Sequence, residues 1–277
     1  MKAKDETLPF LFAFTLLFGL FYGMGLLAAN LDWTWSRILI CLVTVSGVAI
    51  AWSLIRKKPL TISLQEVGFG IPDWQVMGIS VALSVLMLSF FPLYSSLMNV
   101  RLPLQTNWPW TLLGIIAGVG IAEETLFRGY VFNFLRRGRT FWKAATLSMI
   151  LFGAMHLILL LWLPLPIAIA AIILAIIAAY PSAYLFEAGN QTIWAPAILH
   201  TTALATNLFE IPAELAIPLS LMWIGVVMID LFLVFVAEKT RPDQADHHRQ
   251  ANHLGRTSGS HKREKMNRTE NIRSLQL

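Results

Sequence analysis

Five ionisable residues lie where the chain is otherwise apolar: Glu123, Glu124, Arg128, His156 and His200. A charged side chain at the middle of a bilayer costs about 2.5–3.5 kcal/mol on insertion scales, so such residues normally face a bundle interior and work there. Glu124 and Arg128 are four residues apart, on one side of a helix, with Glu N-terminal, the better order for pairing. An internal pair reduces the cost of both charges. Glu123 is ~100° further around the helix and has no such partner in its own segment. It is the free carboxylate. A free carboxylate with two imidazoles suits hydrolysis. Glu123 can take a proton from water. One His can hold that water or protonate the leaving amine, and another can donate to the developing oxyanion. The same Glu123, His156 and His200 can also bind zinc with a fourth position open, relay protons in a coupled transporter, or sit as satisfied core polar groups.

The elements that must position these residues follow from composition. The chain has 277 residues, 56% hydrophobic and 13% charged, where a soluble domain holds about 25% charged residues. Mean hydropathy is +0.63. This excludes a disordered chain, a collagen-like fibre and a disulfide scaffold. Cys41, the single cysteine, sits in an apolar run with no base beside it and reads as inert. Apolar runs near 20 residues mark spanning helices, because about 30 Å of hydrocarbon needs roughly 20 residues at 1.5 Å each. Eight such runs are read: 8–29, 36–55, 76–98, 109–133, 141–162, 165–187, 192–209 and 215–237. The fold class is therefore all-α, a polytopic membrane protein of about eight transmembrane helices. On those spans Glu123, His156 and His200 lie roughly 14–22 Å from the inner helix ends, compatible with one site near the midplane. Gly118 and Gly120, one turn before Glu123, permit close approach of a neighbouring helix or a substrate.

The domain reading is a multi-span membrane domain over 1–237 and a basic, flexible cytoplasmic tail over 238–277. The tail holds four of the six His: His247, His248, His253 and His261. Residues 59–75 read as a short interfacial segment. Eighteen of the 21 Lys and Arg fall on one side of this topology, against Arg37 and Arg101 on the other. That split places both termini in the cytoplasm. The net charge of +5 belongs to the tail rather than to a nucleic-acid-binding face. Asp230 reads as interfacial or structural. Many of the Trp residues, such as Trp108, Trp110, Trp142 and Trp162, lie near span ends as an aromatic belt.

Glu123-Glu124-Thr-Leu-Phe-Arg128 matches EExxxR, and Phe152-Gly-Ala-Met-His156 matches FxxxH; His200 sits where a third motif's His is expected. In that order and spacing the three motifs, over about 60–210, resemble the CAAX protease and bacteriocin-processing family of intramembrane proteases. The resemblance implies an eight-helix membrane endopeptidase core, similar to type II CAAX prenyl endopeptidases. Glu123 would activate the water, His156 assist, and His200 contribute to the oxyanion site. Glu124 and Arg128 would shape the site. The family's third motif reads HxxxN, but here Leu204 stands four residues after His200, and the nearest Asn is Asn207 at seven. Asn207 is thus a supporting candidate, one turn too far along a regular helix.

The expected function is hydrolysis of a peptide bond in a membrane-associated or lipidated peptide by a glutamate-activated water. The expected setting is an integral membrane protein of the plasma membrane, with the lipid bilayer and such a substrate as partners and no nucleic acid. No cofactor is required on this reading, because three separate helices supply the residues without HExxH spacing; zinc through Glu123, His156 and His200 is the other option. The alternatives are a family member that has lost catalysis and acts in bacteriocin self-immunity or binding, and a proton-coupled transporter.

Overall fold

The computed structural model describes residues 4–31 and 35–239. The expected tail, with its four His, falls almost wholly outside the described residues. Two compact units divide the chain, Met1–Val234 and Phe235–Leu277. Of the second, only residues 235–239 are described, as the end of the last helix.

The described part of the chain is mainly helical. Its elements are α1 (Lys4–Leu31), α2 (Ser36–Arg56), α3 (Leu60–Leu64), α4 (Trp74–Leu88) and α5 (Phe90–Met98). There follow α6 (Trp108–Ile115), two π-helical stretches (Ile116–Glu123 and Thr125–Phe132) and α7 (Asn133–Arg136) as one continuous rod. Then come α8 (Phe141–His156), α9 (Leu159–Trp162), α10 (Leu165–Ala188), α11 (Trp194–Ala203) and α12 (Ala216–Lys239). Among the described residues there is no strand, only an isolated bridge between Leu104 and Phe209. The starts have local causes. Asp73 accepts hydrogen bonds from the Gln75 and Val76 amides at 3.0 Å and caps α4. Thr140 caps α8 in the same way. α6 and α10 each carry Pro in the first turn, where its missing N–H costs nothing.

Burial is inverted relative to a soluble protein. Leu54 and Leu161 are 73% and 78% exposed, whereas Glu124 and Arg128 are 0% and 2% exposed. Apolar side chains turned outward and charges turned inward are the pattern of a bundle solvated by lipid. Among the described residues, seven helical segments are long and apolar enough to cross a membrane: Glu6–Leu27, Ser36–Arg56, Trp74–Met98, Trp108–Arg136, Phe141–Trp162, Leu165–Ala188 and Ala213–Ala237. The chain is an integral membrane protein.

The structure corrects the reading at one place. The run 192–209 is not one spanning helix. α11 has ten residues, ~15 Å of rise, half a hydrocarbon core. Beyond it the chain turns through a short 3-10 helix at Ala205–Leu208 and becomes extended at Phe209. Gln105 donates its amide to the Leu208 carbonyl, and Glu210 donates to that of Pro103, both at 2.8 Å. These bonds satisfy backbone that the helix has released. Residues 59–75, read as a short interfacial segment, also pack against the bundle. Ser63 and Val67 are fully buried. Gly68, at φ 110°, takes a conformation open to glycine, and its carbonyl accepts from the Ile193 amide at 3.1 Å. The segment thereby holds the start of α11. Asn133 Nδ2 donates to the Glu66 carbonyl at 2.7 Å, tying the same segment to the rod that carries Glu123.

Beside that segment lies a charged cluster. Lys58 and Trp52 both donate to the Glu66 carboxylate. Burial pushes this carboxyl up, but those two hydrogen bonds and the nearby charges of Lys58 and Arg56 hold it below its ordinary value. Arg56 and Arg137 converge on Glu6.

Candidate active site

The site is built on the 116–132 stretch, where the rod is π-helical rather than regular α. π turns inside α-helices are often found at functional sites. Two glycines let other elements reach this stretch. A side chain at Gly129 would collide with the carbonyl of Val67, and one at Gly120 with Thr201 Oγ1. Gly120 therefore sets the contact with α11 and Gly129 the contact with the 59–75 segment.

Glu124 is completely buried and serves two partners. Its Oε1 lies 3.1 Å from Arg128 Nη1 and 2.7 Å from His200 Nδ1. The Arg128 contact is ionic rather than a well-aligned hydrogen bond, since Nη1 has no hydrogen-bond partner among the described residues. The guanidinium also stacks 4.4 Å above the centre of the Phe152 ring. The Glu124–Arg128 pair matches the spacing argument. The link from Glu124 to His200 is an addition that spacing did not show, because residues 76 apart in sequence are brought together only by packing.

That link fixes the His200 ring. An ionised carboxylate only accepts, so Nδ1 donates to Glu124 and Nε2 turns toward Glu123. His200 Nε2 stands 4.0 Å from Glu123 Oε2. This is too long for a direct hydrogen bond. Glu123 Oε2 is itself buried with no hydrogen-bond partner among the described residues. An orphaned buried carboxylate oxygen is expensive.

His156 is oriented by its own helix. Its Nδ1 lies 2.8 Å from the Phe152 carbonyl, which can only accept, so the ring donates there and leaves Nε2 as the free nitrogen. This explains the FxxxH spacing physically: residue i supplies the carbonyl that orients the imidazole at i+4. Phe152 reads from sequence as ordinary packing. Its ring in fact lies 4.6 Å from His156 and 6.0 Å from His200, centroid to centroid, and forms the wall common to both.

Glu123, Arg128, His156 and His200 line one cavity of about 290 Å³. The rest of its lining is almost wholly apolar and includes Leu159, Leu174, Leu204 and Leu231. Ser182, just after the proline inside α10, is a polar lining residue that no sequence motif marked. Asn207 is not brought to the cavity. It is exposed, and its Nδ2 donates to the Leu204 carbonyl at 3.0 Å within the 3-10 turn. Thr201 faces Gly120 instead. Leu204 lines the cavity where the helix ends. Asn207→Ala is therefore expected to change peptide turnover less than about twofold, as for a surface substitution. A steady-state assay checks this, and a loss as deep as that of His200→Ala would put Asn207 at the reacting atoms.

Asp230 is buried rather than interfacial, 2% exposed, with neither carboxylate oxygen partnered among the described residues. Among the described residues no group of three His, Cys, Asp or Glu is disposed to hold a metal ion. Glu123, His156 and His200 share a cavity without forming such a ligand set among the described residues.

Residues 105–209 match a family model described as type II CAAX prenyl endopeptidase Rce1-like. The matched stretch holds Glu123, Glu124, Arg128, His156, His200 and Asn207. No curated protein matches the chain.

Proposed function

On the premise of a CAAX protease family member, which the match over 105–209 supports, we propose that the protein hydrolyses a peptide bond in a lipidated or membrane-bound peptide, with Glu123 as the base that activates water. The observation that carries this reading is the buried, unpartnered Glu123 Oε2 facing His200 Nε2 across 4.0 Å in a cavity that also holds His156. Water in the cavity beside these two groups can give its proton to Glu123 and attack the carbonyl. His200, charged by a second proton and held by Glu124, presents Nε2–H to the oxyanion that forms. His156 Nε2 accepts from the attacking water and orients it. Glu123 then returns its proton to the leaving amine. Glu124 and Arg128 hold the geometry rather than the reacting atoms. The apolar remainder of the cavity suits an apolar chain on the substrate.

The test is purified protein in neutral detergent with an internally quenched peptide that carries a farnesylated cysteine near its C-terminus. Mass spectrometry of the products is expected to show one cleaved bond beside the lipidated residue. A well-folded protein that cleaves neither lipidated nor unlipidated peptides contradicts the reading.

Two further outcomes are expected in the same assay. His200→Ala is expected to lower kcat about 10²–10³-fold, the effect of removing an oxyanion donor. Leu204→Asn, which places an amide in the cavity lining, is expected to raise kcat. Unchanged kcat in His200→Ala would remove the imidazole from the mechanism. Activity is also expected to survive a chelator. Stoichiometric zinc in the purified protein, with activity lost on chelation and restored by zinc, would contradict a mechanism run by Glu123 alone.

A further inference from the structure

We propose that Arg37 binds the carboxylate at the free C-terminus of the substrate peptide, so that the site measures its cut from a chain end. The inference rests on the hydrolytic reading of Glu123 above. A second cavity, of about 390 Å³, meets the first at the catalytic groups: Val119, Glu123, His156 and Leu159 line both. Arg37 lines only the second. It is the second residue of α2 and is exposed, and no hydrogen bond or ion pair among the described residues uses it. Sequence reasoning counted it merely as a cation of an outer loop.

The stem of Arg37 is laid along the catalytic rod. Its Cδ is 3.0 Å from where a Cβ on Gly114 would stand, and its Cβ is 3.5 Å from that of Gly118. Gly114 leaves room for the stem, whereas a Cβ at Gly118 would meet it only in ordinary contact. The two glycines precede Glu123 by nine and five residues, at most ~14 and ~8 Å along the axis. An extended peptide advances ~3.3 Å per residue, so two to four residues reach from the bond at Glu123 to the region of Arg37. The charges favour this direction. Glu123 repels an anion near the cut, while the guanidinium, with no ion pair among the described residues, offers a planar fork that fits a carboxylate. The mainly apolar first cavity then takes the lipid-bearing side of the peptide, and the second takes its short C-terminal piece.

The same farnesylated, internally quenched peptide is assayed as the free acid and as the C-terminal amide, in neutral detergent. Wild type is expected to prefer the acid by about tenfold or more in kcat/KM, the effect of one charge-assisted contact, seen mainly in KM. Arg37→Gln is expected to bring the acid-to-amide ratio within about twofold, and Arg37→Lys to keep part of the preference. If Arg37→Gln does not purify, wild type carries the test through product inhibition. The released C-terminal peptide as acid should then inhibit at about tenfold lower concentration than its amide. A wild type that cleaves acid and amide equally, or an Arg37→Gln that keeps the full preference, overturns the proposal while leaving hydrolysis intact. An Arg37→Gln effect that is equal for acid and amide and appears only with phosphatidylglycerol assigns Arg37 to a lipid phosphate and also overturns it. If wild type cleaves neither form, the hydrolytic reading falls first and this proposal with it.

Discussion

Glu124→Gln is expected to deplete folded protein, not merely to slow it. Glu124 is fully buried, and one oxygen receives both Arg128 at 3.1 Å and His200 at 2.7 Å. Glutamine is nearly isosteric but neutral. It leaves the Arg128 guanidinium, 2% exposed, without its adjacent counter-charge. Removing one partner of a buried ion pair typically costs about 3–5 kcal/mol, since the other charge stays buried and uncompensated. That is a large share of the stability of an ordinary domain. The expected readout is a lower yield of monodisperse protein and a lower Tm in detergent. Glu124→Gln combined with Arg128→Met removes both charges and is expected to recover Tm without recovering activity, because His200 still lacks its carboxylate. A Glu124→Gln protein with wild-type Tm and activity would show that this pair does not support the site.

The residues of the site were legible in the sequence to a useful degree, and their arrangement less so. Glu123, Glu124, Arg128, His156 and His200 stand out because charges are rare in apolar runs, and depth counted along helices brought three of them near one plane. Glu124–Arg128 was readable because the i,i+4 relation survives in the folded rod. The Glu124–His200 bond was not, since no local rule relates residues on separate helices. The π-helical stretch escaped because apolar periodicity in a lipid-solvated bundle is weak, so a wider turn leaves no pattern to read. The early end of α11 escaped for a related reason. Residues 192–209 are apolar enough for a span, and only pairing with 103–105 reveals that the backbone leaves the helix. That end also explains why distance along a regular helix was the wrong measure for Asn207. Arg37 was overlooked because a cation at a span end reads as topology, and only the cavity shows what it faces.

Glu123→Gln bears on the central claim. Glu123 contributes a buried oxygen with no hydrogen-bond partner among the described residues, so its charge is a burden on the fold rather than a support. Replacing it with a neutral amide is expected to leave Tm equal to or above that of wild type. The same change removes the base. Loss of a general base costs about 10²–10⁴ in rate, and the amide cannot take a proton from water. The direct measurement is kcat for the farnesylated, quenched peptide with wild type and Glu123→Gln purified side by side, each with its Tm recorded in the same detergent. The predicted result is a fall in kcat of about a hundredfold or more with Tm undiminished. Equal kcat in the two proteins would contradict the assignment of Glu123 as the group that activates water.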